Sequence, residues 1–293
     1  MKLKEYLLPQ TIEECMTGLA QNNGEARIIA GGTDLVLWLK QKKVKPQILV
    51  DITFIQELRA LEFSDDYLII GGAVTHAQVA SHSRIRNLLP VLSEACESIG
   101  SPQIRNIATV VGNIVSAQPA ADSAVALVAL RAQAEILSQE GYRIEPVEEL
   151  YADFGKSKID SSRELVTRIK VPLPDSGTGT AFMRNSPRNA LSLPVINVAI
   201  VLNVFNGRVN QGRIAIGPVA AGPFRPLQAE KLLAGIEISD NQSLERIAEV
   251  ASQEGNPRDS LLRGSSLYRR HLVRVLIQRA METAIRRAVA NTI

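Results

Sequence analysis

The stretch Ile28-Ile29-Ala30-Gly31-Gly32-Thr33-Asp34-Leu35 decides how this chain is read. Arg27 to Ala30 is a short apolar run of the kind that forms a strand, and it stops at two glycines. A strand ending in Gly31-Gly32 lets backbone N–H groups approach an anion with no Cβ atoms in the way. Thr33 or Asp34 is suited to cap a helix carrying Leu35, Val36, Leu37, Trp38 and Leu39, whose positive N-terminal end favours the same anion. This suits a pyrophosphate, although a Gly-Gly after a strand, taken alone, is more often a simple tight turn. Upstream, Thr11-Ile12-Glu13-Glu14 is a capping-box sequence that starts a helix running to about Ala20. Downstream, Ile48 to Ile52 is the next strand, which closes a compact α+β unit of about 55 residues.

A second unit begins with a hairpin, Ala60 to Phe63 and Tyr67 to Ile70 around Ser64-Asp65-Asp66, that leads into Gly71-Gly72. Thr75-His76-Ala77-Gln78 is another capping-box sequence, and Leu89 to Ile99 is apolar at helical spacing up to Gly100. Thr109-Val110-Val111-Gly112-Asn113-Ile114 reads as a strand broken by glycine, followed by a small-residue helix from Ala121 to Leu130. Gly112-Asn113 lies about 80 residues after the first turn, so two glycine turns in adjacent subdomains are expected to face each other across one dinucleotide. The Rossmann alternative fails, because neither turn reads Gly-x-Gly-x-x-Gly inside a βαβ unit. After the Pro-, Gly- and Ser-rich stretch Pro172 to Thr180, Leu193 to Phe205 reads as a long strand. Asn206-Gly207 supplies a type I′ turn into Arg208 to Ile216, and two or three helices follow, the last from about Ser266 to Ala288. Antiparallel strands followed by helices indicate an α+β class.

Bulk composition narrows the chemistry. The 293 residues suffice for about two domains, and 45% hydrophobic with 22% charged residues is ordinary for a globular protein. A net charge of +3 from 33 basic and 30 acidic residues, with both signs spread along the chain, gives no case for nucleic acid. One basic stretch, Arg263, Arg269, Arg270, Arg274, Arg279, Arg286 and Arg287, is read as the solvated face of a terminal helix, with a docking face for a partner subunit as the alternative. Cys15 and Cys96 each sit in an apolar helical pattern, as buried thiols do. There is no CxxC, and His76, His82 and His271 form no metal pattern, so any metal redox centre is expected on another chain. Met1 to Tyr6 lacks the apolar run of a signal peptide and no stretch is apolar enough to span a bilayer, so no membrane association and a cytoplasmic location are expected.

Ile28 to Leu35 matches the first flavin motif of a known family. Gly100-Ser101-Pro102-Gln103-Ile104-Arg105-Asn106 together with Thr109-Val110-Val111-Gly112-Asn113 matches its second. The chain thus resembles the flavin-binding (medium) subunit of the molybdenum hydroxylases, the family of xanthine, carbon monoxide and nicotinate dehydrogenases. Pro119-Ala120-Ala121-Asp122, and Asp259 with Arg263, Ser265 and Tyr268-Arg269-Arg270, extend the resemblance to nearly the whole chain. It implies the vanillyl-alcohol-oxidase (p-cresol methylhydroxylase) type of FAD-binding fold over residues 1–175, with subdomains of about 1–56 and 57–175. A C-terminal α+β domain with a three-stranded antiparallel sheet and helices would occupy 176–293. It also implies a non-covalent FAD held by Ile28, Ile29, Ala30, Gly31, Gly32, Thr33, Asp34, Leu35, Gly100, Thr109, Val110, Val111, Gly112, Asn113, Ser116, Asp122, Ile169 and Arg184. No side chain of this chain is assigned a catalytic or metal-binding role. The implied partners are a small subunit with 2Fe-2S clusters, a large molybdopterin subunit, and NAD or another electron acceptor.

Two positions depart from the family pattern. Phe182-Met183-Arg184 carries arginine where the family usually has lysine, exchanging a point charge for a planar fork, and Ala121 stands where relatives often carry glycine. Other classes remain open on sequence: a free-standing FAD oxidoreductase with its own substrate pocket, or a non-catalytic nucleotide-binding scaffold. His76 is expected in a local capping or surface role, and Trp38 in the core. Arg105 and Arg188 are left between holding flavin phosphates and pairing with carboxylates.

Overall fold

A computed structural model describes residues 3–22, 24–188 and 191–291. Met1 and Lys2, part of the N-terminal reading above, lie outside the described residues. The first unit is a parallel sheet with strand Ile48–Asp51 between Glu5–Leu7 and Ala26–Ile29. Its central strand is buried at every position, which is why Ile48-Leu49-Val50 is a continuous apolar run with no alternation. Helix Ile12–Gln21 starts as expected, with the Thr11 hydroxyl accepting from the Glu14 N–H, and it buries Cys15, Met16 and Leu19 against this sheet.

The second unit is an antiparallel sheet in the order Leu61–Phe63, Tyr67–Gly71, Leu165–Pro172, Gln133–Ser138, Gly141–Pro146. Helices His76–Ser81, Pro90–Glu97 and Asp122–Ala129 share one apolar core with it. Here one expectation is overturned. Residues 110–115 form a helix, Val110–Val115, not a strand. The Thr109 hydroxyl accepts from the Gly112 N–H at 2.9 Å, a cap that starts a helix whatever the β preference of the two valines. Val110 and Ile114 then reach the core from one face, four residues apart.

The third unit is the three-stranded antiparallel sheet Thr178–Asn185, Ile196–Phe205, Arg208–Gly217. Asn206 and Gly207 both have positive φ, 49° and 73°, as a type I′ turn requires. The central strand begins at Ile196, three residues later than its apolar run suggested. Helices Asn241–Glu254 and Ser266–Ala290 share an apolar core with this sheet. The last helix comes so close that a Cβ at Gly179 would lie 1.9 Å from the Ala284 carbonyl oxygen. The small residues Ala199 and Ala215, with Phe182, belong instead to the core of the second unit, so helix Asp122–Ala129 is clamped between the two sheets.

Candidate cofactor site

A cleft of about 330 Å3 opens where the ends of strand Ala26–Ile29 and helix Val110–Val115 meet. Its walls include Ile28, Ile29, Ala30, Gly31, Gly32, Thr33, Asp34 and Leu35 from the first turn, and Thr109, Val111, Gly112, Asn113 and Ser116 from the second. The two turns touch. A Cβ at Gly31 would lie 1.8 Å from the Ile107 carbonyl oxygen and 3.0 Å from the Ala108 Cα, so only glycine permits this approach. Gly32 has a different reason to be glycine, a φ of +67° in the left-handed region.

The first turn leaves its backbone donors free. Among the described residues, none of the amides from Ala30 to Leu35 has an acceptor within the chain, and neither do those of Thr109 and Val111 in the second turn. Backbone amides inside a fold are nearly always paired, so a run of open donors facing a cleft marks an anion cradle. The side chain of Asp34 makes no capping bond, contrary to one of the two sequence readings. Helix Leu35–Lys40 has only six residues, so the amides themselves, and not a long helix dipole, supply the attraction. Asn113 accepts from the Ser123 hydroxyl at 2.8 Å, which fixes its carboxamide and leaves its NH2 without a partner among the described residues.

Five expected residues lie elsewhere. Val110 faces the core. Gly100, at φ +52°, turns the chain beside the cleft residue Ile99. Ile169 is fully buried in the central strand of the five-stranded sheet, and Leu165 and Val166 of the same strand line the cleft instead. Asp122 and Arg184 meet each other, Oδ2 to Nε at 3.2 Å, and the Asn197 amide donates to the other Asp122 oxygen at 2.6 Å. Burial pushes the Asp122 carboxyl above its usual range, opposed by Arg184, Asn197 and Ser98. Arg184 also donates to Ser186 Oγ at 3.0 Å and to the Ser192 carbonyl.

Several cleft residues were not assigned to the site from sequence. Arg27, Ile99, Ala108, Ile159, Ser161, Glu164 and Leu165 are among them, and Ile104 of the second motif also lines the wall. Trp38, expected in the core, is half-buried and forms part of the wall. His76, expected at the surface or in a cap, is fully buried at the cleft, and neither ring nitrogen has a partner. Its pKa falls to about 3, mainly through burial and then through the Arg105 charge. The sequence signal for it was its place just after a Thr75 cap whose box with Gln78 holds the helix end against Ala108. Arg105 and Arg188 donate to backbone carbonyls, of Ile99 and Leu191 respectively.

Residues 1–174 match the family described as the FAD binding domain in molybdopterin dehydrogenase, and residues 181–284 match the CO dehydrogenase flavoprotein C-terminal domain. The chain belongs to this flavoprotein family. It is 32% identical to the xanthine dehydrogenase FAD-binding subunit of Escherichia coli O157:H7, over 96% of this chain and 95% of that one. The glyceraldehyde dehydrogenase medium chain of Sulfolobus acidocaldarius is 31% identical over 94% of this chain and 96% of its own. Among solved structures, carbon monoxide dehydrogenase from Hydrogenophaga pseudoflava superposes with a TM-score of 0.90 at 27% identity, covering 97% of both chains. Quinoline 2-oxidoreductase from Pseudomonas putida 86 gives 0.89 at 25% identity over the full length of both. The resemblance and the fold class inferred from sequence therefore stand, and the chain is the FAD-binding subunit of a molybdenum hydroxylase-type oxidoreductase. The open amides of the two turns fit that cofactor, since a dinucleotide's diphosphate needs donors and no side-chain bulk where it lies.

Proposed function

We propose that this chain takes electrons from an iron–sulfur subunit through non-covalent FAD and passes them to NAD or another acceptor, in a cytoplasmic complex with a large molybdopterin subunit. The observation that carries this reading is the unbroken run of open amides from Ala30 to Leu35 facing Thr109 and Val111 across the cleft. In this account the backbone amides of Gly31 to Asp34 and of Thr109 and Val111 bind the diphosphate. Asn113 Nδ2 donates to the cofactor from the second side, and Trp38, Ile99 and Ile104 exclude water. Bound FAD supplies the redox chemistry, and the protein supplies binding, orientation and electrostatics. We divide the chain at about residue 175, in the link between strands Leu165–Pro172 and Thr178–Asn185.

The scarcity of bases in the cleft favours a subunit over a free-standing oxidase. His76 at about 3 is too weak a base at neutral pH, and Glu164 is held by Arg143 at 2.6 Å and by the Asp160 N–H at 2.9 Å. The test is purification of the chain alone and of its complex. The chain alone should be yellow and inert toward organic substrates, while the complex reduces NAD when the molybdenum subunit's substrate is added. Turnover of an organic substrate by the isolated chain would overturn the proposal.

A further inference from the structure

Most arginines of the C-terminal basic stretch are engaged within the fold. Arg274 pairs with Glu249 at 3.2 Å, Arg287 pairs with Glu94 at 2.5 Å, and Arg270 donates to Gln253 at 3.1 Å. The arginines just before and in the first turn of the 25-residue helix Ser266–Ala290 behave differently. Arg258, Arg263 and Arg269 converge on a cavity of about 150 Å3, separate from the cofactor cleft and walled also by Pro119 and Phe154. Arg269 is only 4% exposed and donates to the Arg258 and Pro218 carbonyls, which leaves its buried Nε unpartnered. The Arg263 side chain has no hydrogen bond and no ion pair among the described residues. The Arg258 guanidinium carbon lies 4.1 Å from the centroid of the Phe154 ring.

The one carboxylate in the wall, Asp259, accepts the Ser266 N–H at 2.5 Å and pairs with none of the three. Charges removed from water are normally compensated, yet among the described residues no carboxylate pairs with Arg263 or Arg269, and Asp153 acts on Arg258 alone of the three. Burial lowers the pKa of both Arg263 and Arg269, as expected for desolvated cations without a counter-ion.

The chain on either side of Arg263, next in sequence to the lining residues, is apolar and bare at its surface. Leu261 is completely exposed, and Leu262 and Leu267 are 86% and 77% exposed. Single exposed leucines are ordinary, but three within seven residues, beside the exposed Tyr268 and the unpaired Arg263, have the make-up of a protein interface. A free oxyanion has no use for such an apolar surface. The cavity, of about 150 Å3, has room for a carboxylate side chain.

We propose that the Arg258–Arg263–Arg269 cavity is the docking socket for a carboxylate side chain of a partner subunit, with Leu261, Leu262 and Leu267 packing on apolar surface around that carboxylate. This rests on the reading of the chain as one subunit of a complex. The test measures the affinity of the full FAD-loaded chain for its purified iron–sulfur and molybdopterin subunits, with Arg263→Glu, Arg263→Lys and Leu262→Ser chains alongside. Both positions are solvent-accessible and outside the cofactor cleft, so flavin content and melting temperature should match wild type. Arg263→Glu should weaken assembly by about thirtyfold or more, Leu262→Ser by about tenfold, and Arg263→Lys least of the three. Affinities within about threefold of wild type for both Arg263→Glu and Leu262→Ser would overturn the socket and leave the proposed function standing. Saturable inorganic phosphate binding lost in Arg263→Glu with assembly intact would overturn it in favour of a free anion. Loss of self-association alone would overturn it in favour of a second copy. A flavin-loaded wild-type chain that joins neither subunit would sink the complex itself, and the socket with it.

Discussion

Replacing Gly31 with alanine adds one methyl group at the point where the two turns touch. That methyl would lie 1.8 Å from the Ile107 carbonyl oxygen and 2.5 Å from its carbon. Ordinary contact begins near 3.4 Å, so the turns must part by about 1.6 Å. Both obstructing atoms are backbone, so no side-chain rotation relieves the clash. A shift of this size takes the amides of Gly31 to Asp34 out of reach of a diphosphate that the amides of Thr109 and Val111 still hold. Losing two hydrogen bonds to a charged group, at about 1.5–3 kcal/mol each, weakens FAD binding by about a hundredfold or more. The assay is titration of the flavin-stripped protein by quenching of FAD fluorescence, with circular dichroism to show that the fold persists. An affinity within about threefold of wild type would refute the account of how the two turns share the cofactor.

Three further outcomes follow from the same geometry. Thr109→Val removes the cap on Gly112 and should lower the melting temperature by about 2–4 °C, for a loss of about 1 kcal/mol, measured by calorimetry. Arg184→Ala strands the buried Asp122 carboxylate and should cost about 3–5 kcal/mol at neutral pH in urea unfolding. Because the Asp122 pKa is already raised and rises further without Arg184, that loss should shrink as the pH is lowered and the carboxyl takes up its proton. For His76, the folded pKa of about 3 lies below the ordinary value of 6.5, so the unfolded chain binds the proton first and stability falls as pH drops from 6.5 toward 3. The slope this group contributes, at most about 1.4 kcal/mol per pH unit, should disappear from the urea midpoints of His76→Leu.

Much of the fold was written in local signals. Thr11 and Thr75 cap the helices their sequences announced, and Asn206-Gly207 makes the expected hairpin. The strand reading of residues 109–114 failed because Val110 and Val111 favour strands in general, while the Thr109 hydroxyl bond to Gly112 decides this case. The site was legible where it depends on backbone, since glycines announce themselves. It was less so where side chains choose between partners. Asp122 carries a charge that sequence places near a cofactor, yet its partners Arg184 and Asn197 come from a sheet more than sixty residues downstream. Ile169 is buried while Leu165 and Val166 of the same strand line the cleft, a choice that depends on which neighbours pack on the strand and that no periodicity reveals. His76 was discounted because a histidine after a cap is usually exposed, and only the packing of the second turn on Thr75 and His76 buries it.

The central claim is that the two turns together hold the FAD diphosphate, and a crystal structure of the FAD-loaded chain tests it most directly. Diphosphate oxygens should lie about 2.7–3.2 Å from backbone nitrogens of the Gly31 to Asp34 turn and of Thr109 or Val111. A diphosphate bound away from both turns, with those amides still open, would contradict it.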